Sequence, residues 1–456
     1  MKINNIINKN KKSKLSPVRF TLLSFLVLIL IGSFLLSLPF ATQNGKPVSY
    51  TDALFTSVSA SCITGQVIHD TGSTWSVFGQ IVILLLVQIG ALGIITFTIF
   101  LTLMLGKKLS MREKKMAHES LNTFDFAGAT SLIKSIIFLT LSFETVGAII
   151  LSLRFLKYFT VWKSIYYGIF HSISNFCNAG FDIMGTPENE FPGLTNFYQD
   201  PVILYTIMAL ILMGGLGFTV WTNIIFFKRE KHFTFHTKMV LTVTTALIVT
   251  GTLAFLIIEF NNPDTIGNMT FLEKLNNSLF QSIASRNAGT NTINLTNMRE
   301  LSRVTITILM FIGAAPASTG GGVKVTTLGI ILALVISYIR GYENTVAFKN
   351  IITKDTIKKC ICIVILSLGL IGVTTVIIST TQDTPFLISC FEATSAFSTT
   401  GMNTGAITGL KFISKVVIMI SMYVGRVGPT TFALAIMMRK NKKRDTVYPE
   451  AKVIVG

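Results

Sequence analysis

The stretch Phe391-Glu-Ala-Thr-Ser-Ala-Phe-Ser-Thr-Thr-Gly401-Met decides the fold, because a variant of it occurs four times in the chain. Aligned on the phenylalanine, the copies share Phe-x-small-(Val, Ile or Thr)-small followed by a glycine, and they occupy residues 55–65, 170–180, 280–289 and 391–401. Their closing glycines, Gly65, Gly180, Gly289 and Gly401, lie 115, 109 and 112 residues apart. A nearly constant period indicates internal repetition. The sequence therefore predicts four equivalent structural units.

Each copy closes in a turn that suits an ion pathway. The turns are Ile63-Thr64-Gly65, Asn178-Ala179-Gly180, Asn287-Ala288-Gly289 and Thr399-Thr400-Gly401. Glycine allows a positive φ and places no side chain in the path, so that backbone carbonyls can replace the hydration shell of a cation. We predict that these twelve residues form a cation-binding filter. The alternative is that the glycines serve packing alone.

The composition places this filter in a membrane protein. Half of the 456 residues are hydrophobic and 13% are charged, whereas soluble domains carry about 25% charged residues. Eight apolar runs each provide the roughly 20 residues that cross a bilayer. They are residues 20–40, 80–106, 135–153, 202–227, 239–258, 304–338, 361–380 and 412–438. The predicted fold class is an all-α polytopic membrane protein with eight transmembrane spans.

The runs and turns combine into four units of the form helix, pore loop, helix. Each unit has an outward helix, a half-helix that ends in the glycine turn, and a return helix. The units are residues 20–106, 128–227, 239–338 and 361–438, between a basic N-terminus (1–19) and a basic tail (439–456). The carbonyl end of a half-helix carries partial negative charge, which favours a cation just beyond it. Four such ends around one axis predict a pseudo-fourfold pore.

The net charge of +18 is distributed over alternate segments. The basic segments are the N-terminus, 107–115, 228–238, 340–359 and 439–443. By the positive-inside rule these segments and both termini are cytoplasmic, and the four glycine turns lie toward the outer side. Because this orientation accounts for the charge, we expect no nucleic-acid partner. The first apolar run is longer than a signal-peptide core and is expected to be retained.

The third return helix must be interrupted. Its apolar run of 35 residues would be about 52 Å long as one helix, against a hydrocarbon core of ~30 Å. The interruption is predicted at residues 313–322, a run of small residues with one proline that cannot face lipid with unpaired backbone groups. We predict that it forms a gate below the filter. The gate residues are Gly313, Pro316, Ser318, Thr319, Gly320, Gly321, Gly322, Lys324 and Arg426.

Arg426 lies within the last apolar run, where a charge costs about 3 kcal/mol on insertion scales. In a cation pathway, a fixed positive charge acts as a barrier or a latch. The alternative is a structural salt bridge, for instance with Glu144. Lys324 has the alternative of extending its side chain to the membrane interface. The five cysteines have no zinc-type spacing, and no metal site is predicted beyond the permeating ion.

These motifs resemble those of the Trk/Ktr/HKT superfamily of cation transporters, most closely its bacterial Ktr branch, from about residue 20 to 438. The resemblance rests on the four glycines, on Ser318-Thr-Gly-Gly-Gly-Val-Lys324 and on Gly425-Arg-Val-Gly428. It implies a potassium-selective pseudo-fourfold pore in the plasma membrane, with residues 313–322 as the gating loop. It also implies a homodimer on a cytosolic ring of nucleotide-binding regulatory subunits (KtrA-like).

The chain departs from the family pattern at two places. Family members often carry Gly-Gly-Ser-Pro-Gly where this chain has Gly313-Ala-Ala-Pro316-Ala, which predicts a stiffer loop. Gln66 follows the first filter glycine, where an apolar residue is expected. The way in which the first turn coordinates an ion therefore stays open.

The predicted function is potassium uptake driven by the membrane potential, with K⁺ as substrate and no bound cofactor. Whether Na⁺ acts as an activator stays open. The chain has no G-x-G-x-x-G fingerprint, so any nucleotide control is expected from a separate subunit. A sodium or ammonium path through the same pore is the first alternative. An intramembrane serine protease using Ser172 and His171 is disfavoured, because adjacent residues on a helix do not face each other, and the protein is expected not to be an enzyme.

Overall fold

The computed structural model describes residues 17–93, 96, 97, 99, 129–407 and 409–429. The basic segment 107–115, the tail and all but the last residues of the basic N-terminus lie outside the described residues. The described part of the fold is mostly helical, and its strands are the antiparallel pair Val346–Ala347 and Asn350–Ile351. The short helical elements are Pro39–Ala41, Thr71–Thr74, Thr195–Phe197, Phe227–Glu230 and Leu295–Asn297.

The outward helices are the long elements of the fold. They are Pro17–Leu36, Ala129–Phe155, Phe235–Glu259 and Lys354–Gln382. Within the described ranges, four helices are long and apolar enough to cross a membrane, and each lies in one of these outward helices. A fifth crossing results if the bent helix pair described below is counted as one span.

A half-helix follows each outward helix. The half-helices are Tyr50–Ser61, Val161–Phe176, Phe271–Ala284 and Phe386–Ser398. The phenylalanine of each repeated phrase is at most 1% exposed. Two residues later, the hydroxyls of Ser57, Ser172 and Ser282 donate to carbonyls of their own outward helices, at 2.7, 2.6 and 2.9 Å. The small polar residue of the phrase therefore fixes the half-helix against the outward helix.

The return helices are short or broken. They are Val77–Leu92, Pro201–Gly215 with Phe218–Ile225, Glu300–Phe311 with Val325–Ile339, and Phe412–Val427. The first and fourth end at glycines with positive φ, Gly93 and Gly428. Residues 96, 97, 99 and 429 beyond these glycines are helical, and the rest of the apolar runs 80–106 and 412–438 beyond them lies outside the described residues. The interruption expected within 304–338 lies between Phe311 and Val325.

The second return helix differs from the sequence expectation of one run across 202–227. It bends by 98° between its two parts, at Gly217 with φ +89°. The carbonyls of Gly214 and Gly215, freed by the bend, accept hydrogen bonds from Thr319 N (3.2 Å) and Ala315 N (3.0 Å). A break at this depth is stable because the 313–322 loop supplies the missing backbone partners.

Candidate functional site

The four glycine turns share one backbone conformation. Two residues before each glycine the backbone is left-handed, with φ of 58° at Ile63, 57° at Asn178, 81° at Asn287 and 54° at Thr399. The glycines have φ of 76°, 71°, 70° and 86° in the same order. A left-handed conformation is a genuine outlier for the β-branched Ile63 and Thr399. Such strain persists only where the surroundings hold the chain in place, and it is concentrated at functional sites.

A backbone hydrogen bond closes each turn onto its half-helix. The amides of Thr64, Ala179 and Thr400 donate to the carbonyls five residues earlier, at 2.7, 2.8 and 3.0 Å. In the third unit, whose repeated phrase is one residue shorter, Ala288 N donates to Ala284 O at 3.0 Å. The middle residue of each turn is thereby fixed to a half-helix end, where the helix carbonyls carry partial negative charge.

The four turns meet in cyclic order. An ideal Cβ on each glycine would overlap the carbonyl oxygen of the residue before a neighbouring unit's glycine. The pairs are Gly65 with Ala179, Gly180 with Ala288, Gly289 with Thr400, and Gly401 with Thr64. The structure thus brings together all twelve residues predicted for the filter, including the buried middle residues of the turns. Each glycine is required both by its φ and by this close approach of backbone to backbone.

The glycines open onto an acidic vestibule. A cavity of about 500 Å³ is lined by all four glycines and by the acidic residues Asp70, Asp182, Glu190 and Asp264. No basic side chain lines it among the described residues. Burial, and secondarily the charge of Asp70, raises the pKa of Asp182 to about 7. A cavity lined by carboxylates of one sign raises the local concentration of cations.

On the other side of the turns, the 313–322 loop contacts three of the four left-handed residues. The side-chain amide of Asn178 lies 3.1 Å from the Thr319 hydroxyl. Gly321 N donates to Thr399 Oγ1 at 3.1 Å. A Cβ on Gly320 would lie 3.1 Å from the Cβ of Asn287. The predicted gate is therefore seated directly against the predicted filter.

Arg426 joins this loop to the first unit. Its guanidinium donates to Thr319 O and to the helix-end carbonyls Gly90 O (2.6 Å) and Ala91 O (3.2 Å). The alternative of a salt bridge with Glu144 is wrong for this structure. The Glu144 carboxylate instead accepts from Gln88 Nε2 at 3.2 Å. Because a guanidinium carries five donors in a rigid fork, it can hold carbonyls of two segments at once.

A smaller cavity of about 220 Å³ next to the loop is lined by the gate residues Ser318, Gly320, Lys324 and Arg426. Lys324 Nζ donates to Gly320 O at 2.6 Å, which ties it to the loop instead of leaving it extended to the interface. Ser318 Oγ donates to Ala315 O at 2.6 Å. Gly322 has φ +68°, and the carbonyl of Pro316 lies close to Gly217 at the bend of the second return helix. The nine residues predicted for the gate thus lie in one region.

The residues of the protease alternative are not arranged for catalysis. The Ser172 hydroxyl donates to Glu144 O at 2.6 Å, and His171 Nδ1 lies 2.8 Å from Tyr167 O. Each side chain is therefore engaged with a different backbone carbonyl. Among the described residues, no group of three or more His, Cys, Asp or Glu side chains could hold a metal ion.

The sequence did not predict the contact between Gln66 and Glu392. Gln66 Nε2, from the unexpected polar residue after Gly65, lies 3.1 Å from Glu392 Oε2. Glu392 is the variable second residue of the fourth phrase. The only sequence signal was the polar character of Gln66, because its partner is distant along the chain.

The sequence of the chain is similar to those of known cation transport proteins. A family model described as TrkH, cation transport protein, matches residues 16–445. The Ktr system potassium uptake protein B of Bacillus subtilis (strain 168) is 37% identical over 443 residues, which cover 97% of each chain. The potassium/sodium uptake protein NtpJ of Enterococcus hirae is 35% identical over 456 residues, covering 99% of this chain and 100% of that protein.

The architecture is similar to the crystal structure of the potassium transporter TrkH from Vibrio parahaemolyticus. The TM-score is 0.71, with 95% of this chain and 88% of that chain covered. At 18% identity, this likeness concerns the fold alone. The family match and the two relatives each span nearly the whole sequence. The chain therefore belongs to the TrkH family of cation transport proteins.

Proposed function

We propose that the chain is the membrane subunit of a potassium uptake system and that its four glycine turns form one carbonyl-lined filter. The observation that carries the proposal is the cyclic approach of the turns, in which each glycine lies against a carbonyl of a neighbouring unit. Backbone carbonyls arranged in a ring can replace the water around a K⁺ ion. The relatives named as potassium uptake proteins support this choice of cation.

The proposed arrangement is a pseudo-fourfold pore in the plasma membrane. The outward helices supply four spans and the short or broken return helices supply the other four, which gives eight. Each half-helix has an exposed aromatic residue at its start: Tyr50 (53%), Trp162 (84%), Phe271 (65%) and Phe386 (67%). Trp and Tyr, here Trp162 and Tyr50, are enriched at membrane interfaces. They favour an outer interface at the level of these starts, with the termini on the cytoplasmic side.

The proposed gate is the 313–322 loop held by Arg426. In the present conformation Arg426 fastens Thr319 to the end of the first return helix. A cation that leaves the filter would next meet this loop and the positive charges of Arg426 and Lys324. Opening would require the loop to leave these contacts. The membrane potential, worth about 2.3 kcal/mol per charge per 100 mV, would drive entry of the cation.

The proposed assembly is a homodimer with a nucleotide-binding regulatory subunit on its cytoplasmic side. The name of the similar Bacillus protein, which assigns it to a Ktr system, supports an assembly of several components. The basic segments predicted to face the cytoplasm would offer the docking charge. K⁺ is the substrate in this proposal, and the chain itself carries no cofactor.

The test is ⁸⁶Rb⁺ uptake into liposomes containing the purified chain under an imposed inside-negative potential. The proposal predicts Rb⁺ uptake that unlabelled K⁺ abolishes and that an equal concentration of Na⁺ reduces little. Uptake that Na⁺ abolishes equally well would contradict potassium selectivity. If the wild-type protein shows no Rb⁺ uptake, Arg426→Gln is measured in parallel. Absence of uptake by both proteins would contradict the proposed function.

A sodium-conducting variant of the same function is the second candidate. It is favoured by the name of the similar Enterococcus protein, a potassium/sodium uptake protein. The two candidates differ in ²²Na⁺ uptake through the same liposomes. Uptake of ²²Na⁺ in the absence of K⁺ at a rate close to that of ⁸⁶Rb⁺ would favour the second candidate.

A further inference from the structure

We propose that Glu392 is a specificity-determining positioning residue: its carboxylate holds Gln66, and through it the first glycine turn, in the geometry that prefers K⁺ over Na⁺. This inference rests on the proposed function, because it names what sets the selectivity of that filter. Glu392 does not touch the ion in this account. It acts on the residue that follows Gly65.

The contact has a defined geometry between the fourth and first units. Gln66 Nε2 lies 3.1 Å from Glu392 Oε2 and 3.2 Å from the backbone oxygen of the same residue. The other carboxylate oxygen, Oε1, accepts from both the amide and the hydroxyl of Thr404, each at 2.8 Å. One side chain therefore ties the residue after the first filter glycine to the segment that follows the fourth. Gln66 and Glu392 are 0% and 1% exposed, so water does not compete for these bonds.

The carboxyl group of Glu392 accepts three hydrogen bonds. All three groups that contact its carboxylate are donors: the Gln66 amide, the Thr404 amide and the Thr404 hydroxyl. No Lys, Arg or His forms a salt bridge with it among the described residues. The contact can therefore act as a stiff brace behind the turn.

The equivalent position in the third unit lacks such a brace. There Gln281 Nε2 meets the sulfur of Met402 at 3.6 Å, whereas the side-chain oxygens of Gln281 and Gln66 both lack a partner among the described residues. Met402 follows Gly401 as Gln66 follows Gly65, so the two contacts occupy matching places. The carboxylate contact at the junction of units 4 and 1 is thus the stronger of the two. Gln281 provides a matched control for it.

The consequence for selectivity follows from the close fit of Gly65. A Cβ at this glycine would overlap Ala179 O, so its backbone cannot shift without displacing a neighbouring carbonyl. If the contact between Gln66 and Glu392 is lost, the backbone of the first turn becomes more mobile. The ring of carbonyls then tolerates a wider range of ion–oxygen distances. The smaller Na⁺ ion is then rejected less well. A change in the ratio of Rb⁺ to Na⁺ flux is therefore expected, beyond any change in the total flux.

The test is a double-mutant cycle of Glu392→Gln and Gln66→Met, read as the ratio of ⁸⁶Rb⁺ to ²²Na⁺ uptake in liposomes. Each single substitution is expected to lower this ratio roughly tenfold. The double variant is expected to lie within twofold of either single variant, because both remove the same contact. Gln281→Met is expected to leave the ratio within twofold of wild type. Melting temperatures of the four proteins in the cycle are measured in parallel.

Three outcomes would overturn the inference. One is a Glu392→Gln protein with reduced uptake but an unchanged ratio, since a merely structural role would act in that way. Another is a multiplicative loss of the ratio in the double variant. The third, which needs no transport, is strictly additive effects on melting temperature. Absence of Rb⁺ uptake by wild type and Arg426→Gln would instead count against the proposed function, and the melting cycle would still decide on the brace.

Discussion

The carbonyl oxygen of Thr64 lies against the Cα of Gly401, so that any Cβ at position 401 would overlap it. This contact joins the first unit to the fourth and closes the cyclic series of turns. Because the obstacle is a backbone oxygen and not the tip of a flexible side chain, a substitution here must displace the neighbouring turn.

Gly401→Ala is expected to reduce Rb⁺ uptake at least tenfold. The added methyl group meets Thr64 O, and φ of +86° strains any residue with a Cβ. The measurement is initial ⁸⁶Rb⁺ uptake at equal protein content. Gly409→Ala is the matched control, because Gly409 has φ of +84° but no described residue lies within 4 Å of a Cβ there. The control should lose stability, by about 1–2 kcal/mol, and keep its uptake. Equal loss of uptake in both variants would show that strain, and not the close approach, is responsible.

Arg426→Gln is expected to raise Rb⁺ uptake several-fold. The substitution removes the positive charge and releases Thr319 from the end of the first return helix. Arg426→Lys separates these two effects, because it keeps the charge while losing the fork that reaches both segments. If the hydrogen bonds of the guanidinium matter more than its charge, Arg426→Lys should also raise Rb⁺ uptake. Uptake by Arg426→Gln at or below the wild-type rate would contradict the role of Arg426 in the gate.

Asp182 is expected to make cation uptake depend on pH near neutrality. Burial and the charge of Asp70 raise its pKa to about 7, so the vestibule gains negative charge between pH 6 and pH 8. The Rb⁺ concentration for half-maximal uptake should fall about two- to threefold over this interval. Asp182→Asn should remove this change. Persistence of the full pH dependence in Asp182→Asn would contradict the assignment.

The same residue has a stability effect of predictable sign. A carboxyl whose folded pKa lies above its unfolded value, about 3.9, costs stability progressively as pH rises from about 4 through about 7. Asp182→Asn should therefore raise the melting temperature more at pH 8 than at pH 5. An equal change at both pH values would mean that the carboxyl does not titrate in this interval.

Ser172→Ala is expected to lower stability by about 1 kcal/mol while Rb⁺ uptake persists. The variant loses one buried hydroxyl bond to Glu144 O, the one hydrogen bond of that hydroxyl to a described residue. The fourth unit carries Ala393 at the equivalent position, so the half-helix tolerates a missing hydroxyl. Chemical denaturation and uptake are measured on the same preparation. Complete loss of activity in a folded protein would favour the nucleophile role instead.

The turns and the loop could be predicted from the sequence because glycine and proline mark them directly. Gly65 and its three counterparts share a fixed place in a repeated phrase, and Pro316 lies in a run of small residues. The backbone preferences of glycine and proline determine where these turns and this loop lie. The serine contacts with the outward helices also follow from the phrase, since they recur at one position in three units.

Other features could not be predicted because their cause lies elsewhere in the chain. Local propensity argues against a left-handed Ile63, and only the cyclic packing of the turns holds it there. The bend at Gly217 interrupts a continuous apolar run, and its freed carbonyls are paired by Ala315 and Thr319 from the third unit. The contact between Gln66 and Glu392 likewise joins two distant parts of the sequence.

The most direct test of the central claim is the ratio of ⁸⁶Rb⁺ to ²²Na⁺ uptake in four parallel variants. These are Gly65→Ser, Gly180→Ser, Gly289→Ser and Gly401→Ser, each made alone in an otherwise unchanged chain. If the four turns form one filter, every variant should lose most of the wild-type preference for Rb⁺, since each serine displaces a carbonyl of the same ring. A variant that folds with its serine in place and keeps both wild-type uptake and the wild-type ratio would contradict a single filter built by all four units.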